Sequence, residues 1–122
     1  MDCGEQQKEE ELEKLYLECL DLNKDAMKSL SIKKDIDCFN KLREAEALLV
    51  ACSQVRLPRG AELKLFSLTL NNFGCYYKRQ YKPNSALKYL QAALNLEKTD
   101  KGISKVELAG TYLNLCAIYS SL

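Results

Sequence analysis

The chain has 122 residues, enough for one domain with a modest core. Its 18 basic and 17 acidic residues leave a formal charge of +1, so it lacks the basic excess that a phosphate-binding surface needs. No apolar run approaches the roughly 18 residues of a membrane span, and residues 1–13 are charged with no hydrophobic signal region, so a cytoplasmic address is the expectation.

In chain order, the periodicity predicts five helices and no strand. The first, about Glu5 to Leu30, spaces Leu12, Leu15, Tyr16, Cys19, Leu22 and Ala26 mostly three and four apart. Its opening turns are dense in glutamate, which suits the positive end of a helix dipole. The second, about Asp35 to Val55, carries Ile36, Phe39, Leu42, Ala45, Leu49 and Cys52 on one stripe. Pro58 then favours a break and a fresh helix start. The third, about Arg59 to Gln80, faces Leu63, Phe66, Leu70, Phe73 and Tyr77 inward. After Tyr81-Lys82-Pro83, either Asn84 or Ser85 is placed to cap the fourth helix, which buries Ala86, Leu87, Leu90, Ala93 and Leu94, with Tyr89 beside them. Residues 99–102 end it. Ser104-x2-Glu107 is a capping box opening the fifth helix, which runs to Ser121. Short turns between such helices make neighbours antiparallel, so the fold class is all-α, a stack of α-hairpins.

Little here supports catalysis or metal binding. The chain has no histidine, which removes the usual Ser–His–Asp and Cys–His nucleophile arrangements, and no phosphate-cradling glycine loop. Cys3, Cys19, Cys38, Cys52, Cys75 and Cys116 are scattered without a Cys-x2-Cys pair, so they are expected to be packed thiols rather than zinc ligands or redox centres. No enzyme activity, cofactor or metal is expected.

One spacing recurs. Leu70-x2-Phe73-Gly74-x2-Tyr77 is followed by Ala86-x3-Leu90-x2-Ala93. The first half returns 42 residues on as Tyr112-x2-Leu115-Cys116-x2-Tyr119, and the second has an upstream echo, displaced by 41, in Ala45-x3-Leu49-x2-Cys52. Small residues at Gly74, Ala86 and Ala93 would let two helices approach closely, with large residues filling the space between hairpins. A unit of this kind cannot cover its own apolar face and exists to be stacked.

On these residues the chain resembles tetratricopeptide-repeat proteins, and its 41–42-residue spacing is most similar to the longer repeats of kinesin light chain and of cell-polarity and ciliary scaffolds. The resemblance implies a right-handed solenoid, with residues 1–34 as a capping helix or degenerate repeat and 35–122 as repeats, the last incomplete. Lys98 stands where the short consensus has proline. It also implies a concave groove that binds a peptide or protein partner, with Asn72 and Asn114 as groove asparagines and Asn71, Cys75, Lys78 and Arg79 on the same wall or its lip. Neither nucleic acid nor a membrane is expected as partner.

The two ends differ. The first helix is armoured with charge, as a terminal cap requires. The fifth has only Lys105 and Glu107 as charged residues, so Leu113, Leu115, Ile118 and Leu122 are expected to form an open apolar interface. That face would meet a further repeat, a second copy of the chain, or a larger assembly. Two functions compete: a groove that captures a partner, and a structural part of a cytoskeletal or ciliary assembly held by the last helix.

Overall fold

The computed structural model describes residues 3–53, 59–99 and 104–122, without the side chains of 52–61. The described residues hold five α-helices and no strand: α1 (Cys3–Ser31), α2 (Asp35–Ser53), α3 (Arg59–Arg79), α4 (Pro83–Thr99) and α5 (Lys105–Ser121). The expected all-α stack of helical hairpins is what the chain forms. The break at Pro58 and the packing of Cys52 lie outside the described residues.

Both well-defined hairpins turn in the same way. Lys33 and Tyr81 adopt left-handed backbone, with φ of 63° and 59°. Around them the hydrogen bonds match pair for pair. Lys33 N–H donates to Leu30 C=O and Lys34 N–H to Ser29 C=O, while Tyr81 N–H donates to Lys78 C=O and Lys82 N–H to Tyr77 C=O. This is the Schellman ending, in which the left-handed residue is usually glycine. The next helix then starts with Cys38 N–H on Lys34 C=O in one case and Ala86 N–H on Lys82 C=O in the other. Lys82 is therefore the cap and Pro83 the first helical residue, where a missing N–H costs nothing. Asn84 and Ser85, expected as caps, sit inside the first turn. The capping box at Ser104 and Glu107 is formed as the sequence predicts.

These turns are 48 residues apart, which sets the correspondence between the hairpins. Cys38, Leu42 and Ala45 stand where Ala86, Leu90 and Ala93 stand, and Ala26 stands where Gly74 does; all eight are buried. The sequence echo at 41 matched Ala45 to Ala86 and was two helical turns out of register. It missed the true counterpart because the first small residue of α2 is a cysteine. Ile36, expected in the core, is 78% exposed, since the buried stripe of α2 starts two residues later at Cys38. Burial pushes the Cys38 thiol up to about 11, helped by the nearby Asp35 carboxylate, so this thiol behaves as a small hydrophobe.

The helices contact in a row centred on α3. It packs against α1, α2, α4 and α5, whereas among the described residues the backbone of α1 does not approach α4 or α5, nor does that of α2. The core is accordingly divided. Cys19, Ala45, Leu49 and Leu65 form one cluster. Ala26, Leu30, Cys38, Leu42 and Phe73 form a second, flanked by Phe39, Tyr76, Tyr77 and Tyr89. Ala86, Leu90, Leu94, Leu115 and Ile118 form a third between α4 and α5. The aromatic side chains fill the space between hairpins, with Phe73 stacked on Tyr89 at 5.0 Å. Tyr81 stands apart from them, 92% exposed at its turn.

Gly74 fixes the α3–α4 approach. A Cβ at this position would stand 2.6 Å from both Cγ and Cδ2 of Leu90. Gly74→Ala gains about 1 kcal/mol of helix propensity but forces Leu90 aside, an overpacking cost of about 1–3 kcal/mol. Urea denaturation is expected to show a net loss in the native background and a net gain in a Leu90→Ala background. The same change in both backgrounds would show that Leu90 is not what limits the approach.

Candidate interaction groove

One face is shared by α1, α3 and α5, and its polar contacts repeat. Asn23 Nδ2 on α1 donates to Thr69 Oγ1 on α3 at 3.0 Å, and Asn71 Nδ2 on α3 donates to Thr111 Oγ1 on α5 at 2.9 Å. Each threonine hydroxyl also reaches the carbonyl four residues back, Leu65 or Glu107. Asparagine-to-threonine pairs thus join α1 to α3 and α3 to α5, and the buried Asn23 amide, with a partner at each end, holds the rotation of α1 on α3.

Asn72 belongs to this bracing and not to the groove. It is buried, and its Nδ2 donates to Asn23 Oδ1 at 2.9 Å. Its alignment with Asn114 at an offset of 42 suggested a shared ligand-binding role. The two part company because α1 covers Asn72, whereas no further described helix covers Asn114. Asn71 is the half-buried neighbour that lines the cavity.

Two cavities open along this face. The first, about 310 Å³, is lined by Tyr16 and Leu20 of α1, by Lys64, Leu65, Ser67, Leu68 and Asn71 of α3, by Glu97 of α4, and by Glu107, Gly110, Thr111 and Asn114 of α5. The second, about 400 Å³, gathers Cys75, Lys78, Arg79 and Asn114 with Leu30, Gly74, Tyr81, Leu90 and Ile118. Four of the six predicted groove residues therefore share the second cavity, Asn71 lines the first, and Asn114 lines both. Lys78 and Arg79 are exposed at the lip. The Cys75 thiol is pushed up by burial, with only Lys78 opposing, so it is a wall atom and not a nucleophile.

Glu97 was not anticipated. It is only 4% exposed, on the buried stripe of α4 after Ala93 and Leu94. Its Oε1 accepts from Ser67 Oγ at 2.6 Å, Thr111 Oγ1 at 2.6 Å and Asn71 Nδ2 at 3.1 Å. Three donors offset much of the desolvation that a buried carboxyl incurs. The network ties α3, α4 and α5 at one point. A signal was present in the sequence: an acid four residues after Ala93 falls on the apolar face of its helix.

The proposed open interface of α5 needs correction. Leu115 and Ile118 are buried against α4, at 6% and 1% exposure. Leu113 and Leu122 are exposed, as expected, and Val106, Tyr112 and Tyr119 join them. The free stripe is Val106, Ala109, Tyr112, Leu113 and Cys116, on the side away from α4. The sequence could not separate the faces because α5 is apolar nearly all round.

Among the described residues no three His, Cys, Asp or Glu side chains converge to hold a metal ion, and no helix is long and apolar enough to cross a membrane. The chain matches no protein-family model, no curated protein and no solved structure.

Asn72→Ala leaves Asn23 Oδ1 without its buried donor and is expected to cost about 1–3 kcal/mol. The paired change Asn23→Leu with Asn72→Leu should cost less than the sum of the single changes, as a double-mutant cycle by chemical denaturation will read. Strict additivity would mean the amides do not act as a pair.

Proposed function

We propose that this chain is a non-enzymatic protein-interaction domain of tetratricopeptide type, cytoplasmic, that binds a peptide or an extended segment of a partner protein on the face shared by α1, α3 and α5. The reading takes 1–53 and 59–99 as two stacked repeats with α5 opening a third, coiled in the right-handed sense of such solenoids. The observation that carries it is the pair of adjoining cavities meeting at Asn114. Leucine and tyrosine walls there give apolar anchorage, while Asn114 places an amide where a peptide backbone would run. Lys78 and Arg79 at one end and Glu107 at the other give the track a charge direction that would orient a bound segment.

A second reading has one observation behind it. At the offset of 42, Tyr112, Cys116 and Tyr119 on α5 correspond to Leu70, Gly74 and Tyr77, the face on which α3 seats α4. The stripe of α5 would then seat a helix of the α4 kind, bearing Ala-x3-Leu-x2-Ala, within a cytoskeletal or ciliary assembly.

One experiment separates the two. Peptides selected from a displayed random library on the whole chain are measured by calorimetry on two variants. A Cβ at Gly110 meets nothing within 4 Å, so Gly110→Tyr plugs the first cavity and raises helix propensity by about 0.5–1 kcal/mol. Cys116→Glu places a charge in the α5 stripe. Groove binding predicts that Gly110→Tyr weakens affinity at least about tenfold and Cys116→Glu leaves it unchanged. The reverse pattern supports the α5 face, and indifference to both sinks the two readings together.

A further inference from the structure

The two hairpins differ at one buried position in a way that stacking does not require. By the correspondence of 48 residues fixed by the turns, Glu97 of α4 occupies the place of Leu49 in α2, and both are buried. A leucine serves that place in the first hairpin. Apolar packing alone therefore does not call for an acid at this place, where a buried carboxyl is tolerated only when hydrogen-bonded.

The bonding of Glu97 points outward from packing. All three donors converge on Oε1, and Oε2, although buried, accepts no hydrogen bond from any described residue. Asn71 Oδ1 likewise has no donor among the described residues, while its amide nitrogen donates toward Ser67 C=O, Glu97 Oε1 and Thr111 Oγ1. Two unsatisfied acceptors, one of them on a carboxyl, thus stand on residues lining the same cavity of about 310 Å³. An unmade bond at such a buried group is costly. Both oxygens are closed to bulk solvent, so a donor reaches them by entering the wall as Asn71 or Glu97 turns.

We infer that this cavity receives the guanidinium of an arginine side chain on the partner peptide, held by Glu97 Oε2 and Asn71 Oδ1. The inference rests on the groove reading and deepens it. A guanidinium is planar, offers several N–H donors that can serve two acceptors at once, and is more weakly hydrated than an ammonium, so it gives up water at lower cost. The remaining wall suits its stem: Leu20, Leu65 and Leu68 with the ring of Tyr16 cover methylenes while the head reaches the polar end. The volume lies at the low end for ligand pockets and fits one long side chain rather than a cofactor. Lys64 is the one cation on the lining and Glu107 the second anion, leaving the cavity with a net negative lining once Glu97 is counted.

The test uses the whole chain, labelled with ¹⁵N, and three probes: N-acetyl-arginine-N-methylamide, its citrulline counterpart, which keeps the shape without the charge, and its lysine analogue. The arginine probe is expected to shift the amides of Asn71, Gly110 and Thr111 saturably, with a dissociation constant on the order of millimolar for one fragment. Citrulline, the lysine analogue and the Glu97→Leu variant should each bind at least about tenfold more weakly. Glu97→Leu strips Ser67, Thr111 and Asn71 of their shared acceptor and should melt lower than the native chain, and Glu97→Gln, which keeps an acceptor without the charge, carries the same comparison. Equal response to arginine and citrulline, unaltered binding by the Glu97 variant, or no saturable shift overturns the assignment. A library-selected peptide that Gly110→Tyr excludes and Glu97→Leu still binds would leave the groove standing and remove the arginine from it. Absence of any peptide binding would remove both.

Discussion

Helix α3 packs against four helices at once, and it is what links the α1–α2 hairpin to α4 and α5. An ordinary amphipathic helix hides one stripe, whereas α3 must match a different neighbour on nearly every side. Phe73 enters the core it shares with α1 and α2, and Gly74 gives way to Leu90 of α4. Leu65, Thr69 and Asn72 meet the α1 side, and Ser67 and Asn71 reach the carboxyl of α4 and the threonine of α5. Helices arranged around such a centre do not close on one another. They stand in a row, the core breaks into three clusters, and the flanking α1 and α5 leave a recess between them.

That constraint explains which parts of the architecture were legible in the sequence. Helices α2, α4 and α1 each have a side open to water, and their three-and-four spacing was readable to within a few residues at each end. The Gly74 and Ala86 spacing revealed a close-packed hairpin because only small residues allow it. For α3 a single inward stripe was the wrong template: Leu65, Ser67, Thr69 and Asn72 are all buried, yet none lies on the stripe drawn through Leu63, Phe66 and Leu70. In α5 the converse failure occurred. Uniform apolarity, without a polar face to set the phase, hid which leucines meet α4 and which meet solvent. The correspondence of the first hairpin was concealed by chemistry, since Cys38 and Ala26 do the work of Ala86 and Gly74 under different names.

The groove was legible only as a location. Asn114, Lys78, Arg79 and Cys75 do gather on one cavity, because residues at inner-helix positions of successive hairpins converge when the hairpins stack. Which asparagine lines a cavity and which braces a neighbour depends on whether a preceding helix covers it, and sequence spacing carries no information on that. Glu97 belongs to a third kind. Its exception to the apolar pattern is visible in a single line of letters, but its meaning appears only when Ser67, Asn71 and Thr111 are seen to meet on one oxygen.

The division of the interior into three clusters around α3 is the feature on which both the recess and its proposed chemistry rest. A methyl-resolved nuclear Overhauser experiment on the whole chain tests it most directly. Contacts are expected within the cluster of Leu49 and Leu65 and within that of Leu90, Leu94, Leu115 and Ile118, with none joining Leu42 or Leu49 to Leu115 or Ile118. Cross-peaks between those last pairs would place α2 against α5 in one closed core, leave no recess, and contradict the account.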